Sequence, residues 1–150
     1  MDGNESKLRR RPRILFVGAG NRCRTQMAEG YIHALGSDCF EARSAGVQSD
    51  RVDRRAVRVM EEDGVDIKNC MSKLVSAELL TWADLVIVIA GTGEKVSPAV
   101  PNSAREKQWL VEAPAARAES SEDVIPYREA RDQIKRRVTQ LINATRLFKR

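Results

Sequence analysis

Residues 18–25 read Gly18-Ala-Gly-Asn-Arg-Cys-Arg-Thr25, a set suited to holding an anion. Glycines 18 and 20, with Ala19 between them, let a backbone curl until successive N–H groups point inward, and a helix starting just afterwards adds its positive dipole end. Arg24 at the helix entrance has the fork geometry for a bidentate grip on a tetrahedral oxyanion, and Arg22 adds positive potential. Asn21 belongs to the residue types that tolerate left-handed backbone geometry. The same letters also describe a tight strand-to-helix turn with surface arginines. A dinucleotide loop is a weaker reading, because Gly18-x-Gly20-x-x-Cys23 lacks the third glycine that lets helix and strand pack closely. Gly91-Thr-Gly-Glu-Lys95 matches no known phosphate cradle and reads as a flexible turn.

The thiols add little chemistry of their own. Cys23, Cys39 and Cys70 form no Cys-x-x-Cys pair, and with His33 as the one histidine they make no conventional zinc site, so free thiols are expected. Cys23 stands beside Arg22 and Arg24 at a helix start, which favours its thiolate and makes it the one substitute nucleophile in the loop, but its backbone direction is wrong for in-line attack on an anion gripped by Arg24, and a buried structural thiol is the better reading.

The elements that must hold this loop are legible from their apolar spacing. Residues 14–17, Ile-Leu-Phe-Val, form a run suited to a strand buried on both faces. Met27, Ala28, Tyr31, Ile32 and Leu35 then recur at helical spacing, closed by Gly36. Residues 40–44 predict a short strand. Asp53 is positioned to cap a helix carrying Ala56, Val57 and Met60 that stops at Gly64, and Ser76 to cap a short helix through Leu79 and Leu80. Residues 84–90 give the clearest strand and residues 108–111 a weaker one. From about Pro126, Tyr127, Ala130, Ile134, Val138 and Leu141 share one face of a final amphipathic helix. Alternating elements of this length predict an α/β fold, an open parallel four-stranded sheet with helices on both faces in a Rossmann-like three-layer arrangement. Ligands in such sheets sit beyond the C-terminal ends of the strands, where residues 18–25 fall.

Composition narrows the function classes. The 150 residues suffice for one domain, expected over residues 13–150 after a basic flexible tail at 1–12, and 42% apolar with 31% charged residues is a globular balance. Of the net charge of +5, residues 1–13 carry +3, with Lys7, Arg9, Arg10, Arg11 and Arg13 set against Asp2 and Glu5. A solvated chain end is therefore a better reading than a nucleic-acid surface. The apolar run at residues 85–90 is far too short to cross a bilayer, and the polar opening at residues 1–6 predicts no secretory signal, hence no membrane partner and a cytoplasmic location. No cofactor is expected.

Val17-Gly-Ala-Gly-Asn-Arg-Cys-Arg-Thr-Gln-Met-Ala-Glu-Gly30 resembles the signature loop and first helix of the low-molecular-weight protein tyrosine phosphatases and of the thioredoxin-coupled arsenate reductases that share their fold. Arg43-Ser-Ala-Gly46, the strand at residues 84–90, Lys107-Gln-Trp109 and Ala113-Pro114 extend the resemblance, which runs from Arg13 to about Leu141. Thr25-Gln-Met-Ala-Glu29 and the tryptophan before the proline lean toward the arsenate-reductase branch.

What the resemblance implies about chemistry is a set of absences. The family's nucleophilic cysteine, six positions before the arginine, falls on Gly18; the reductase branch's two further redox cysteines fall on Ala90 and Ser97; the phosphatase branch's general-acid aspartate falls on Ala113, with Glu112 one residue out of register. The binding half, residues 18–25, is retained. The reductase branch also implies a monovalent-cation site, for which Asn21, Glu29 and Ser44 match. The expectation is therefore a catalytically inactive relative that binds phosphate, arsenate or sulfate, or a phosphorylated protein. The alternatives are an active phosphatase or arsenate reductase using Cys23, and an interaction module for protein or nucleic acid in which the loop is a relic.

Overall fold

The computed structural model describes residues 10–48 and 50–148. Four strands, β1 (Arg13–Gly18), β2 (Glu41–Gly46), β3 (Leu85–Ala90) and β4 (Arg105–Leu110), form one sheet in the order β2-β1-β3-β4. Every pairing is parallel. Five helices connect and cover them: α1 (Arg24–Leu35), α2 (Arg54–Glu62), α3 (Ala77–Trp82), α4 (Pro114–Arg117) and α5 (Ile125–Phe148). This is the three-layer α/β architecture that the apolar spacing predicts.

The sheet divides two cores by strand alternation. Ile14, Phe16, Ile87 and Ile89 point to the layer holding Met27, Tyr31, Met60 and Ile134 from α1, α2 and α5. Leu15, Val17, Val86 and Val88 point the other way, onto Leu80 of α3 and Val96 of the loop after β3. Because both faces are covered, β1 and β3 read as unbroken apolar runs rather than alternating ones.

Caps foreseen in the sequence start two helices: Asp53 Oδ1 accepts from Arg55 N–H at 2.9 Å, and Ser76 Oγ from Leu79 N–H at 3.1 Å. Several boundaries differ from expectation. β2 extends to Gly46, and β4 begins at Arg105 rather than at residue 108. As an edge strand β4 buries only Trp109, which packs on Phe16 with ring centroids 5.6 Å apart, so its charged first half carries no apolar signal. The one-turn helix α4, opened by Pro114, has no sequence pattern at that length. In α5 the fully buried position near the end is Ile142, with Leu141 partly buried beside it, while Leu35 at the end of α1 is exposed.

Residues 1–9 of the basic tail lie outside the described residues. Its last three are docked, which corrects the flexible boundary at residue 12: Arg10 forks onto Asp84 at 2.6 and 3.1 Å, Arg11 donates to Ser37 O, and Pro12 O accepts from Glu41 N–H. Among the described residues, no helix is long and apolar enough to cross a membrane.

The chain runs from β1 to β2 on one side, then crosses to place β3 on the other. That reversal opens a crevice beyond the ends of β1 and β3, flanked by residues 18–25 and by residues 91–95.

Candidate functional site

The loop leaving β1 is held from outside by its carbonyl groups. Gly18 O accepts from Val47 N–H, Ala19 O from Gln48 N–H, Gly20 O from Ser72 Oγ, Asn21 O from Gln26 Nε2, Arg22 O from Asp53 N–H and Cys23 O from Met27 N–H. Six successive carbonyls turned to the surrounding elements leave the opposite side of the peptide planes, where the N–H groups lie, to the inside of the curl. Asn21 makes the turn in the left-handed region, φ 50°, as its residue type allows. It is almost wholly buried: its Nδ2 donates to Thr25 Oγ1 at 2.9 Å and its Oδ1 accepts from Lys73 N–H at 2.8 Å and Gln26 Nε2 at 3.0 Å. Gly46 closes the outside of the loop, since a Cβ there would lie 2.6 Å from Asn21 N and from the Gly20 carbonyl carbon.

Inside the curl is a pocket of about 60 Å³, roughly four times the space one water needs. Residues 18–25 form its floor, and Asp53, Ile89, Ala113, Pro114, Ala115 and Tyr127 its walls. Residues 18–25 are thus brought together as expected.

Their charges are not as expected. Arg24, read from the sequence as a free grip on an oxyanion, is already paired. Its Nη1 and Nη2 donate to Glu94 Oε1 at 2.6 Å and Oε2 at 2.9 Å, and Nη1 also donates to Val111 O at 2.8 Å. Glu94 Oε1 accepts further from Gly91 N–H at 2.6 Å, and these bonds, that from Arg24 foremost, hold the Glu94 carboxyl below its usual range. A guanidinium has five N–H donors; Nε–H and the second Nη2–H remain, and they share one edge of the plane. Arg24 therefore offers one bidentate edge, not two. Arg22 is likewise matched, reaching Asp50 and Asp53 at 3.3 Å each. The Gly91-to-Lys95 turn, read as a plain turn, is the source of the Glu94 carboxylate.

Asp53 does more than cap α2. Tyr127 Oη donates to its Oδ2 at 2.5 Å, and Arg55 and Arg22 guanidinium groups donate to the same carboxylate. Burial acts to raise its pKa, yet the bonds from Tyr127 and Arg55 prevail and hold it below the ordinary carboxylate value. The same carboxylate bears on Cys23. Burial pushes that thiol up to about 12, Asp53 adds to the rise, and Arg24, Arg22 and Arg55 oppose it without prevailing. Cys23 is thus the buried thiol preferred from the sequence, and burial together with Asp53 outweighs the arginines that would favour its thiolate.

Residues 13–150 match the low molecular weight phosphotyrosine protein phosphatase family. The chain belongs to that family. Within it, the chain is 36% identical over 126 residues to an arsenate reductase of Halalkalibacterium halodurans, spanning 83% of this chain and 91% of that one. An arsenate reductase of Bacillus subtilis is 32% identical over 128 residues, spanning 85% and 92%. A solved arsenate reductase in the phosphate binding state superposes with a TM-score of 0.77 at 31% identity, covering 89% of this chain and 98% of that one. A low molecular weight protein tyrosine phosphatase from T. tengcongensis gives 0.75 at 28% identity, covering 89% and 99%.

Of the other positions singled out by the family resemblance, Gly18 and Ala113 face the pocket, Ala90 ends β3, and Ser97 lines a separate shallow groove with Val47, Val75 and Pro98. Glu112 is not a pocket wall; its Oε1 accepts from Thr92 N–H at 2.9 Å and Thr92 Oγ1 at 2.6 Å. The cation trio does not fit a cation as it stands. Ser44 Oγ donates to Glu29 Oε1 at 2.8 Å, but the Asn21 carboxamide oxygen has both lone pairs occupied by N–H donors. Among the described residues no group of three or more His, Cys, Asp or Glu is placed to hold a metal ion.

Proposed function

We propose that the chain binds a tetrahedral oxyanion, or a partner carrying one, in residues 18–25 without turning it over. The reading rests chiefly on the six outward carbonyls, which leave a curl of N–H groups around a pocket of oxyanion size, with Nε–H and Nη2–H of Arg24 as the side-chain fork. The same pocket offers no activated nucleophile. The family resemblance sets Gly18, which has no nucleophile, at the position of the attacking cysteine, Ala90 and Ser97, which cannot form a disulfide, at the redox pair, and Ala113, which has no proton to give, at the general acid. Phosphate, arsenate and sulfate share the chemistry the loop would recognise.

Titration calorimetry of phosphate and arsenate into the reduced protein is the test, with Arg24→Ala as control and aryl-phosphate hydrolysis and thioredoxin-coupled arsenate reduction assayed alongside. Saturable binding lost in the variant, with neither activity above background, is the expected result. Turnover by the wild-type protein would refute the reading, and turnover abolished by Cys23→Ser would establish the enzyme that uses Cys23 instead. Gly18→Cys should restore a thiol open to rapid alkylation. A Cβ at residue 18 would meet Thr25 Cγ2 at 2.9 Å, so the pair Gly18→Cys and Thr25→Ser, which removes that methyl, should react faster still.

A further inference from the structure

Charge around the pocket is matched residue for residue. Arg24 faces Glu94, Arg22 faces Asp50 and Asp53, and Arg55 stacks over the Tyr127 ring at 4.5 Å while bonding Asp53. Three guanidinium groups thus meet three carboxylates. Asp53 lines the pocket but is already bound by Tyr127, Arg55 and Arg22, and Asp50 pairs with Arg22 outside the lining. Glu94 differs: its two oxygens lie on the end-on edge of the one arginine whose other edge serves the pocket, and it is delivered by the loop on the far side of the crevice. The backbone supports this placement, because Gly91 N–H binds Glu94 Oε1, and Gly93 turns the segment at φ 81°.

We infer that Glu94 is a charge-selecting residue, a resident carboxylate that both fixes the orientation of Arg24 and tunes the pocket toward singly charged tetrahedral groups and away from doubly charged ones. The inference rests on the oxyanion-binding reading above and adds which oxyanions the loop prefers. The physical ground is Coulomb's law. An anion on the free edge of Arg24 feels the arginine and the carboxylate behind it together, and the repulsion from Glu94 scales with the charge of the ligand. The N–H groups and Arg24 attract a dianion more strongly than a monoanion, and the Glu94 carboxylate, whose repulsion grows with the ligand's charge in the same way, offsets that preference.

Sulfate and perchlorate isolate the effect, since both are tetrahedral and neither changes protonation near neutral pH. Their affinities are to be measured by titration for the wild-type protein, Glu94→Gln and Glu94→Ala, with the thermal midpoint of each variant recorded. Removing one negative charge a few ångströms from the ligand should tighten perchlorate about threefold at water-like screening and sulfate about tenfold, the square of that factor. A merely structural role for Glu94 would instead weaken both anions together. Equal gains for the two anions, or no gain, with Arg24-dependent binding intact in the wild-type protein, would overturn the charge selection and leave the binding reading standing. Absence of saturable binding for either anion in all three proteins would overturn both.

Discussion

The two loops that flank the crevice, residues 18–25 after β1 and residues 91–95 after β3, occupy equivalent ends of adjacent strands and are built in opposite ways. The first is enclosed. Its carbonyls are bound on every residue from Gly18 to Cys23, and Gly46 leaves no room for a single methyl behind it. The second is closed at its buried root, Gly91, but open at its tip: Gly93 has nothing within 4 Å of where a Cβ would stand, and Thr92 and Gly93 are exposed. One loop presents donors from a fixed backbone, and the other reaches across with a single carboxylate. A rigid donor surface defines where an anion can sit, whereas the side chain from the open loop adjusts how strongly it is drawn there.

The contrast makes ordered demands on stability. Gly46→Ala should be the most damaging, about 3 kcal/mol, because its Cβ would collide with backbone atoms that the six carbonyl bonds hold in place; a thermal midpoint within a degree of wild type would break the picture of an enclosed loop. Asp53→Asn should cost about 2 kcal/mol through weakened bonds to Tyr127, Arg55 and Arg22. The same residue carries a pH signature. Since its carboxyl holds a proton less readily in the folded state, its contribution is complete above about pH 4 and disappears as pH falls through the lowered value. Acid unfolding curves of the wild-type protein and Asp53→Asn should therefore converge at low pH, and parallel curves would contradict the assignment. Gly93→Ala, at φ 81° in open space, should cost only about 1 kcal/mol, a backbone penalty without a clash. An effect as large as that of Gly46→Ala would mean that the second loop is as confined as the first.

Much of the enclosed loop was legible in the sequence, and the open loop was not, for a physical reason. Glycine spacing, the left-handed tolerance of Asn21, the caps Asp53 and Ser76, and the unbroken apolar runs of β1 and β3 are local properties, expressed within a few residues of where they act. The Arg24–Glu94 pair joins residues 70 apart, and nothing in the Gly91-to-Lys95 string distinguishes a carboxylate that crosses a crevice from one that faces water. The available signal was topological: in an open parallel sheet the strand order reverses beside β1, so the loop after β3 had to face the loop after β1. The buried thiol at Cys23 is the better reading of the sequence, but the causes that raise its pKa are not written there. Arg22 and Arg24 adjoin it in sequence, but burial and the Asp53 carboxylate, which raise its pKa, come from the fold. The start of β4 went unread because an edge strand spends its alternation on charged residues, and α4 because one turn is too short to show a period.

Whether the N–H groups of residues 18–25 form an anion seat is read out by residue-resolved amide shifts during a phosphate titration. An anion seated there gives saturable shifts concentrated at the amides of residues 19–24 and at Arg24 Nε–H, absent in Arg24→Ala, with the phosphate unchanged afterwards. Shifts spread over the basic surface, or centred on residues away from the pocket, would contradict it.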